Sequence, residues 1–443
     1  MAVQYVRFFP NRAASKNPLP FGGEGSRSLV EIALWTRGRW RRRSASVRAR
    51  NHSGKTSDVV LSRAPEILPP RRPRTGALRW ANFPTGSAPR RPILKLWTII
   101  GFLAGLLSAT AAVAPPRIII AHRGASGYLP EHTLPAKALA HAMGADYLEQ
   151  DLVLSKDGIP VVLHDIFIDT VTDVAKQFPE RKRADGRFYA LDFSVAELKK
   201  LQVTERFDQR TGKPVFATRF PLWQGSFQIP TFEEELQFIQ GLNRTTGREA
   251  GIYPEIKAPS WHREQGQDLS RIVLAVLDRY GYRTKTDKVF LQCFEYPELK
   301  RLRVELGYRG RLIQLVADPK ASQSGTDFAF LTGRAGLEEL AKVADGIGPS
   351  LGQVIAGKRD GKFNITDLVK TAHEFKLQVH PYTIRTDALP SGVKSGEELF
   401  HACLVEAGAD GVFTDQTDRG VAFLRALAAN KALPDRPPTS PPQ

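Results

Sequence analysis

Two histidines at the tips of apolar runs, and three carboxylates at strand-like spacing, are the groups in this chain best suited to chemistry. His122 closes Ile118-Ile119-Ile120-Ala121 and is followed by Arg123 and Gly124; His164 closes Val161-Val162-Leu163 and is followed by Asp165. Imidazoles of near-neutral pKa serve equally as proton acceptors and donors. In Tyr147–Leu154 the two-residue period of a strand puts Tyr147, Glu149, Asp151 and Val153 on one face and Leu148, Leu152 and Leu154 on the other. Two carboxylates on one strand face repel each other and are costly to desolvate unless a cation lies between them. Glu149 and Asp151 therefore read as half of an oxygen-ligand site for Ca²⁺, with Mg²⁺ as the second candidate. The same period in Tyr253-Pro254-Glu255-Ile256-Lys257 places Glu255 and Lys257 on one face with Tyr253. Each group also has an ordinary reading: a solvated edge strand for the pair, an internal ion pair for Glu255 with Lys257, a satisfied core group for each histidine.

The elements that must carry these groups alternate. Strand-like segments are expected at 118–121, 147–154 with a hairpin return at 160–164, 251–257, 288–294, 311–316, 346–347, 378–383 and 411–414. Helical periodicity falls between them, at 134–143, 232–241, 269–280, 298–306, 337–344, 367–375, 397–406 and 420–428. Eight strand positions in βα order predict a (β/α)₈ TIM barrel spanning 115–430, whose active site gathers where the strands end. Residues 166–229 break the alternation with charges and scattered aromatics, and read as a small insertion after the early His-Asp strand. Phe294 and Tyr382 end later strands and are candidates to line the pocket; His380 and Arg385 flank Tyr382 and are weaker ones.

Charge is unevenly placed. Residues 1–114 hold 20 of the 63 Lys and Arg but 4 of the 46 Asp and Glu, so the net charge of +17 falls to +1 in the remainder. Bulk positive charge is therefore not how the globular part binds its ligand, and a nucleic-acid partner is not expected. Residues 1–92 are basic and rich in Pro, Ser and Gly, which suits a disordered or wrongly extended N-terminus. Arg90, Arg91 and Lys95, an uncharged stretch over 96–113, and Ala109-x-Ala111 then make a signal peptide at 93–114. Export to the periplasm is expected, with no stable membrane insertion once the signal is cleaved. Residues 431–443 read as a Pro-rich tail, and Cys293 and Cys403, in apolar surroundings, as buried free thiols.

His122-Arg123-Gly124, Glu149-x-Asp151 and His164-Asp165 together resemble the signature of the glycerophosphodiester phosphodiesterase family. The wording of residues 127–137, Gly-Tyr-Leu-Pro-Glu-His-Thr-Leu-Pro-Ala-Lys, is similar to its periplasmic, metal-dependent bacterial type. His132 stands where the wider family more often has Asn, as in that type. The resemblance implies the same barrel, and hydrolysis of glycerophosphodiesters to glycerol 3-phosphate and an alcohol. It implies His122 and His164 as the acid–base pair, and Glu149, Asp151 and Glu255 as ligands of a divalent metal. Arg123 and Lys257 would neutralise the phosphoryl oxygens, and Glu131 would brace the His122 loop, help position a metal-bound water or start the following helix. The family mechanism implies attack by a glycerol hydroxyl, giving a cyclic phosphate that water then opens. The partner is a small-molecule glycerophosphodiester, and the oligomeric state is left open. Two rivals stand beside this reading: a phospholipase on intact lipid, which needs an exposed apolar rim, and a non-catalytic glycerophosphodiester-binding protein, which has no use for paired proton-transfer groups.

Overall fold

The computed structural model describes residues 116–432 except 319 and 321. The expected N-terminal extension, the signal peptide and the tail beyond residue 432 lie outside the described residues. Among these, eight parallel strands form the wall of a barrel: β1 (Ile118–Ala121), β2 (Tyr147–Leu154), β3 (Gly251–Ile256), β4 (Phe290–Cys293), β5 (Arg311–Val316), β6 (Gly346–Pro349), β7 (Gln378–Val379) and β8 (Gly411–Thr414). They pair in the order β7-β6-β5-β4-β3-β2-β1-β8. Isolated backbone bonds complete the circle between β7 and β8, from Asp410 N to Val379 O at 3.0 Å, Phe413 N to Pro381 O at 3.0 Å and Ile384 N to Phe413 O at 2.9 Å.

A helix follows each strand, as the alternation predicts, with ends set by local chemistry. After β1, Leu134–Met143 starts at Thr133, whose hydroxyl accepts from Ala136 N, and stops at Gly144 in the left-handed region. Phe232–Thr246 opens with a reciprocal capping box between Thr231 and Glu234. The outward strand faces and the inward helix faces share one apolar core that includes Leu148, Leu152, Ile252, Leu312 and Val412.

Expected boundaries shift at helix ends, where 232–241 becomes Phe232–Thr246, 337–344 becomes Arg334–Leu340 and 420–428 becomes Thr417–Ala432, and at strand ends. The hairpin return is Pro160–Val162, so His164 stands two residues past its strand, and β7 is two residues long. The pattern also hides an antiparallel hairpin, Ile355–Arg359 with Lys362–Ile365, that lies outside the barrel sheet.

Residues 166–229 contribute no barrel strand. They fold over a separate cluster that includes Ile168, Phe188, Phe193, Leu198 and Val203 and rests on Val153 and Val161 of the hairpin. Short helices, Val174–Gln177 and Val195–Leu198, and isolated bridges such as Thr172 with Val203 give this region its shape.

Inside the barrel, alternate side chains point to the axis. Ile120, Tyr147, Tyr253, Phe290, Ile313 and Phe413 pack together as an apolar layer, with the Tyr253 ring stacked 5.0 Å from Phe290 and edge-on 5.0 Å from Phe413. Gly251 makes room for this layer, because a Cβ there would overlap the Tyr147 ring. His380, a weaker site candidate in the sequence, belongs here: its Nδ1 lies 2.9 Å from the Tyr253 hydroxyl and the residue is fully buried.

Candidate active site

Two residues further along the same strands the lumen turns polar. Ile120 gives way to His122, Tyr147 to Glu149, Tyr253 to Glu255, Phe290 to Gln292 and Phe413 to Asp415. Strand pairing sets their neighbours: Asp151 is in register with Glu255, and Glu255 with Gln292. Carboxylate oxygens of Glu149, Asp151 and Glu255 all lie within 4.8 Å of one another, and all three residues are buried. The structure thus brings together the three carboxylates singled out in the sequence.

The tip of β1 wraps around this cluster. Arg123 (φ 58°) and Gly124 (φ 85°) are consecutive left-handed residues, a turn that directs the Arg123 backbone N–H at Glu149 Oε2, 2.7 Å away. Position 124 admits glycine because a Cβ would lie 2.9 Å from the backbone of Ala136. The Arg123 guanidinium bonds Glu131 at 2.9 Å and stands 3.7 Å from Asp151. Lys257 Nζ lies 2.9 Å from Glu255 and 3.8 Å from Asp151, and His132 Nε2 lies 2.8 Å from Asp151.

Electrostatics follow from this crowding. Burial, then the Asp151 carboxylate, pushes Glu149 up to about 8, and burial raises Glu255 well above the usual carboxyl range. Burial works to raise Asp151 as well, yet Lys257 and His132 hold it well below its usual value. Asp151 Oδ1 and Gln292 Oε1 are buried without a hydrogen-bond donor. Three hard, buried oxygen donors that cannot all ionise unaided, with orphaned acceptor atoms among them, fit a divalent ion of the Ca²⁺ or Mg²⁺ kind.

Both histidines are held through the same ring atom. His122 Nδ1 lies 2.6 Å from Asp415 Oδ1, and His164 Nδ1 lies 2.8 Å from Asp165 Oδ1, so each Nε2 is left for other partners. His122 Nε2 is 3.9 Å from Glu149; the His164 side chain stays 30% exposed at the rim. Burial, then the Arg123 charge, lowers each to about 4. Against burial, Arg385, His122 and Arg219 keep Asp415 ionised, and Arg206 and His164 do so for Asp165.

Other expectations find definite places. Glu131 sits between Arg123 and Arg206, 2.6 Å from the latter, and burial notwithstanding these two cations hold it well below its usual value. It does not start the helix; Thr133 does. Phe294 and Tyr382 meet edge-on at 5.9 Å, with Lys257 Nζ 5.8 Å from the Phe294 ring and the Tyr382 hydroxyl donating to Val316 O at 3.0 Å. Arg385 bonds Asp415 at 2.8 Å. Cys293 and Cys403 are buried and unpaired.

Three site residues escaped the sequence reading. Asp415 carries the signal that found His122, a polar group ending the apolar run Gly411–Thr414. Arg206 and Arg219 lie in the aperiodic insertion and carry no such signal. The apolar rim that a phospholipase on intact lipid needs is represented in the insertion by two separate side chains. Val215 and Trp223 are 50% and 43% exposed, and the Trp223 ring packs 5.3 Å from that of Phe207.

A model of the glycerophosphoryl diester phosphodiesterase family matches residues 122–419, a span that holds both histidines, the three clustered carboxylates and Asp415. The chain belongs to this family. A glycerophosphodiester phosphodiesterase of Haemophilus influenzae is 46% identical over 350 residues, covering 74% of this chain and 96% of its own. One of Treponema pallidum is 42% identical over 349 residues, covering 75% and 97%. Among solved structures, a Silicibacter pomeroyi protein assigned as a glycerophosphoryl diester phosphodiesterase superposes with a TM-score of 0.54 at 21% identity, covering 71% of this chain and 95% of its own; that likeness shows the shared fold.

Proposed function

We propose that this phosphodiesterase-family enzyme hydrolyses glycerophosphodiesters to glycerol 3-phosphate and an alcohol, with His122 and His164 as the acid–base pair. The observation that carries this reading is the shared tether of the two imidazoles: both are bound through Nδ1 to an ionised aspartate beside one cluster of buried carboxylates. Glu149, Asp151 and Glu255 would hold the divalent ion, Ca²⁺ before Mg²⁺. Such an ion supplies charge neutralisation at the phosphoryl oxygens.

The chain's own groups do the rest. Arg123 and Lys257 attract the phosphodiester anion, and Phe294 with Tyr382 offers an apolar wall to its organic part. One imidazole takes the proton of the attacking hydroxyl as its oxygen bonds phosphorus. The other, protonated, gives its proton to the departing alkoxide as the old phosphorus–oxygen bond breaks. Where a glycerol hydroxyl attacks, the cyclic phosphate it forms is opened by water to glycerol 3-phosphate, with the two imidazoles exchanging roles. Export to the periplasm completes the reading, supported by the uncharged run at 96–113 and the small residues towards its end.

The test is release of glycerol 3-phosphate from glycerophosphocholine, with and without EDTA. Turnover lost to EDTA and restored by Ca²⁺ supports the proposal. Tight binding without turnover points to a binding protein, and activity confined to intact phospholipid points to a phospholipase docking through residues such as Trp223. Amino-terminal sequencing of the exported protein tests the signal peptide.

A further inference from the structure

The insertion supplies none of the three clustered carboxylates, yet it reaches both histidines by the same three-part relay. In one, His122 Nδ1 faces Asp415 Oδ1 at 2.6 Å, and Asp415 Oδ2 accepts from Arg219 Nη2 at 2.6 Å. In the other, His164 Nδ1 faces Asp165 Oδ1 at 2.8 Å, and Asp165 Oδ2 accepts from Arg206 Nη1 at 2.7 Å. Imidazole, carboxylate and guanidinium occur in the same order through the same kinds of atom, although the two relays share no residue.

Both arginines are themselves fixed. Arg219, whose side chain is 5% exposed, forks onto Asp387 at 2.8 and 3.2 Å, donates to Ser126 O at 3.3 Å, and lies 3.7 Å from the centre of the Phe216 ring. Arg206 forks onto Glu131 at 2.6 and 3.2 Å and bonds the Thr170 hydroxyl at 3.2 Å.

We propose that Arg206 and Arg219 are positioning residues, through which the insertion fixes the ring orientation and tautomer of both histidines. The inference rests on the proposed function for its kinetic consequence. An Asp–His pair has two places for its proton and several rotamers. A guanidinium on the second carboxylate oxygen favours the ionised aspartate, keeps the proton on Nδ1, and fixes the plane to which the ring must conform. Nε2 then stays the atom offered to substrate. The barrel alone does not provide this on the His164 side, because Asp165 and Arg206 both lie outside its strands. Asp415 Oδ2 also accepts from Arg385 Nε at 2.8 Å, so losing Arg219 leaves a single bond on that oxygen, too little to hold one tautomer.

The experiment compares wild type, Arg219→Gln, Asp415→Asn and the double variant, in the full chain with Ca²⁺ and glycerophosphocholine. Arg219→Gln should lower kcat about 10- to 100-fold, the usual cost of losing such an outer partner, while KM stays within about twofold. In the Asp415→Asn background the same change should add less than about threefold, because its effect passes through that carboxylate. Losses that multiply in the double variant, or a raised KM with kcat intact, would overturn the proposal. ¹⁵N NMR of the His122 ring, assigned by its disappearance in His122→Gln, should show a single Nδ1–H tautomer in wild type and a mixture in Arg219→Gln. An unchanged ring spectrum overturns the proposal too. Should Arg219→Gln fail to fold, Arg219→Lys keeps the charge without the fork and is read by the same criteria. A wild-type protein without turnover would defeat the proposed function instead, and the ring spectra would still decide this inference.

Discussion

The lower and upper halves of the barrel lumen are built from the same strands, two residues apart, and obey opposite rules. Below, Tyr147, Tyr253, Phe290 and Phe413 fill the axis and withdraw a large apolar area from water, which stabilises the fold. Above, Glu149, Asp151 and Glu255 crowd together against their own repulsion, and their burial costs stability unless a cation is bound. A step of about 6.6 Å along each strand separates the two regimes. The lower layer closes the lumen to water from beneath, so the charges above interact through a poorly screened medium. What it teaches is a division of labour: one layer holds the barrel, the next does chemistry at the expense of the barrel.

The comparison can be broken from either side. The largest effect expected is His122→Ala, which should lower turnover about 10³-fold while the melting temperature stays put, since the upper layer is not what holds the fold. A near-native rate by glycerol 3-phosphate release would remove His122 from the chemistry. Phe290→Ala, one step below, should do the reverse: a loss of about 3–5 kcal/mol in denaturant unfolding, with kcat per folded molecule retained.

The third prediction uses pH. Burial lowers His380 to about 4, against 6.5 when unfolded. Between these values the unfolded chain binds the extra proton, so stability is complete above pH 6.5 and declines as pH falls towards 4. The His380 share is about 3 kcal/mol. His380→Gln should flatten the stability profile in that window, and a profile of unchanged slope would refute the assignment. The smallest change in stability should be the most telling one. Glu149→Gln ought to abolish Ca²⁺-dependent turnover yet raise the melting temperature of the metal-free protein by a few degrees, about what ~1 kcal/mol produces. A lower melting temperature would show that the carboxylates do not repel as described.

Legibility in the sequence followed the same boundary. A period-two strand with a polar tip announces itself, so His122, Glu149, Asp151 and Glu255 could be found and the eight-strand order read. Asp415 was equally visible in form but lacked a motif around it. Arg206 and Arg219 could not be found, because their partners lie 41 and 196 residues away and the insertion has no period to say which side chains turn inward. His164 was found on an apolar run, although its strand stops two residues short of it.

The union of β7 with β8 is the thinnest seam of the wall, since β7 offers two residues and the remaining backbone bonds come singly. Amides at Ile384 and Phe413 should therefore exchange with deuterium sooner than those buried in the β2–β3 ladder, marking where the cylinder breathes first. Arg385 and Asp415 follow directly after that seam, so each opening there would briefly slacken the anchorage of one imidazole.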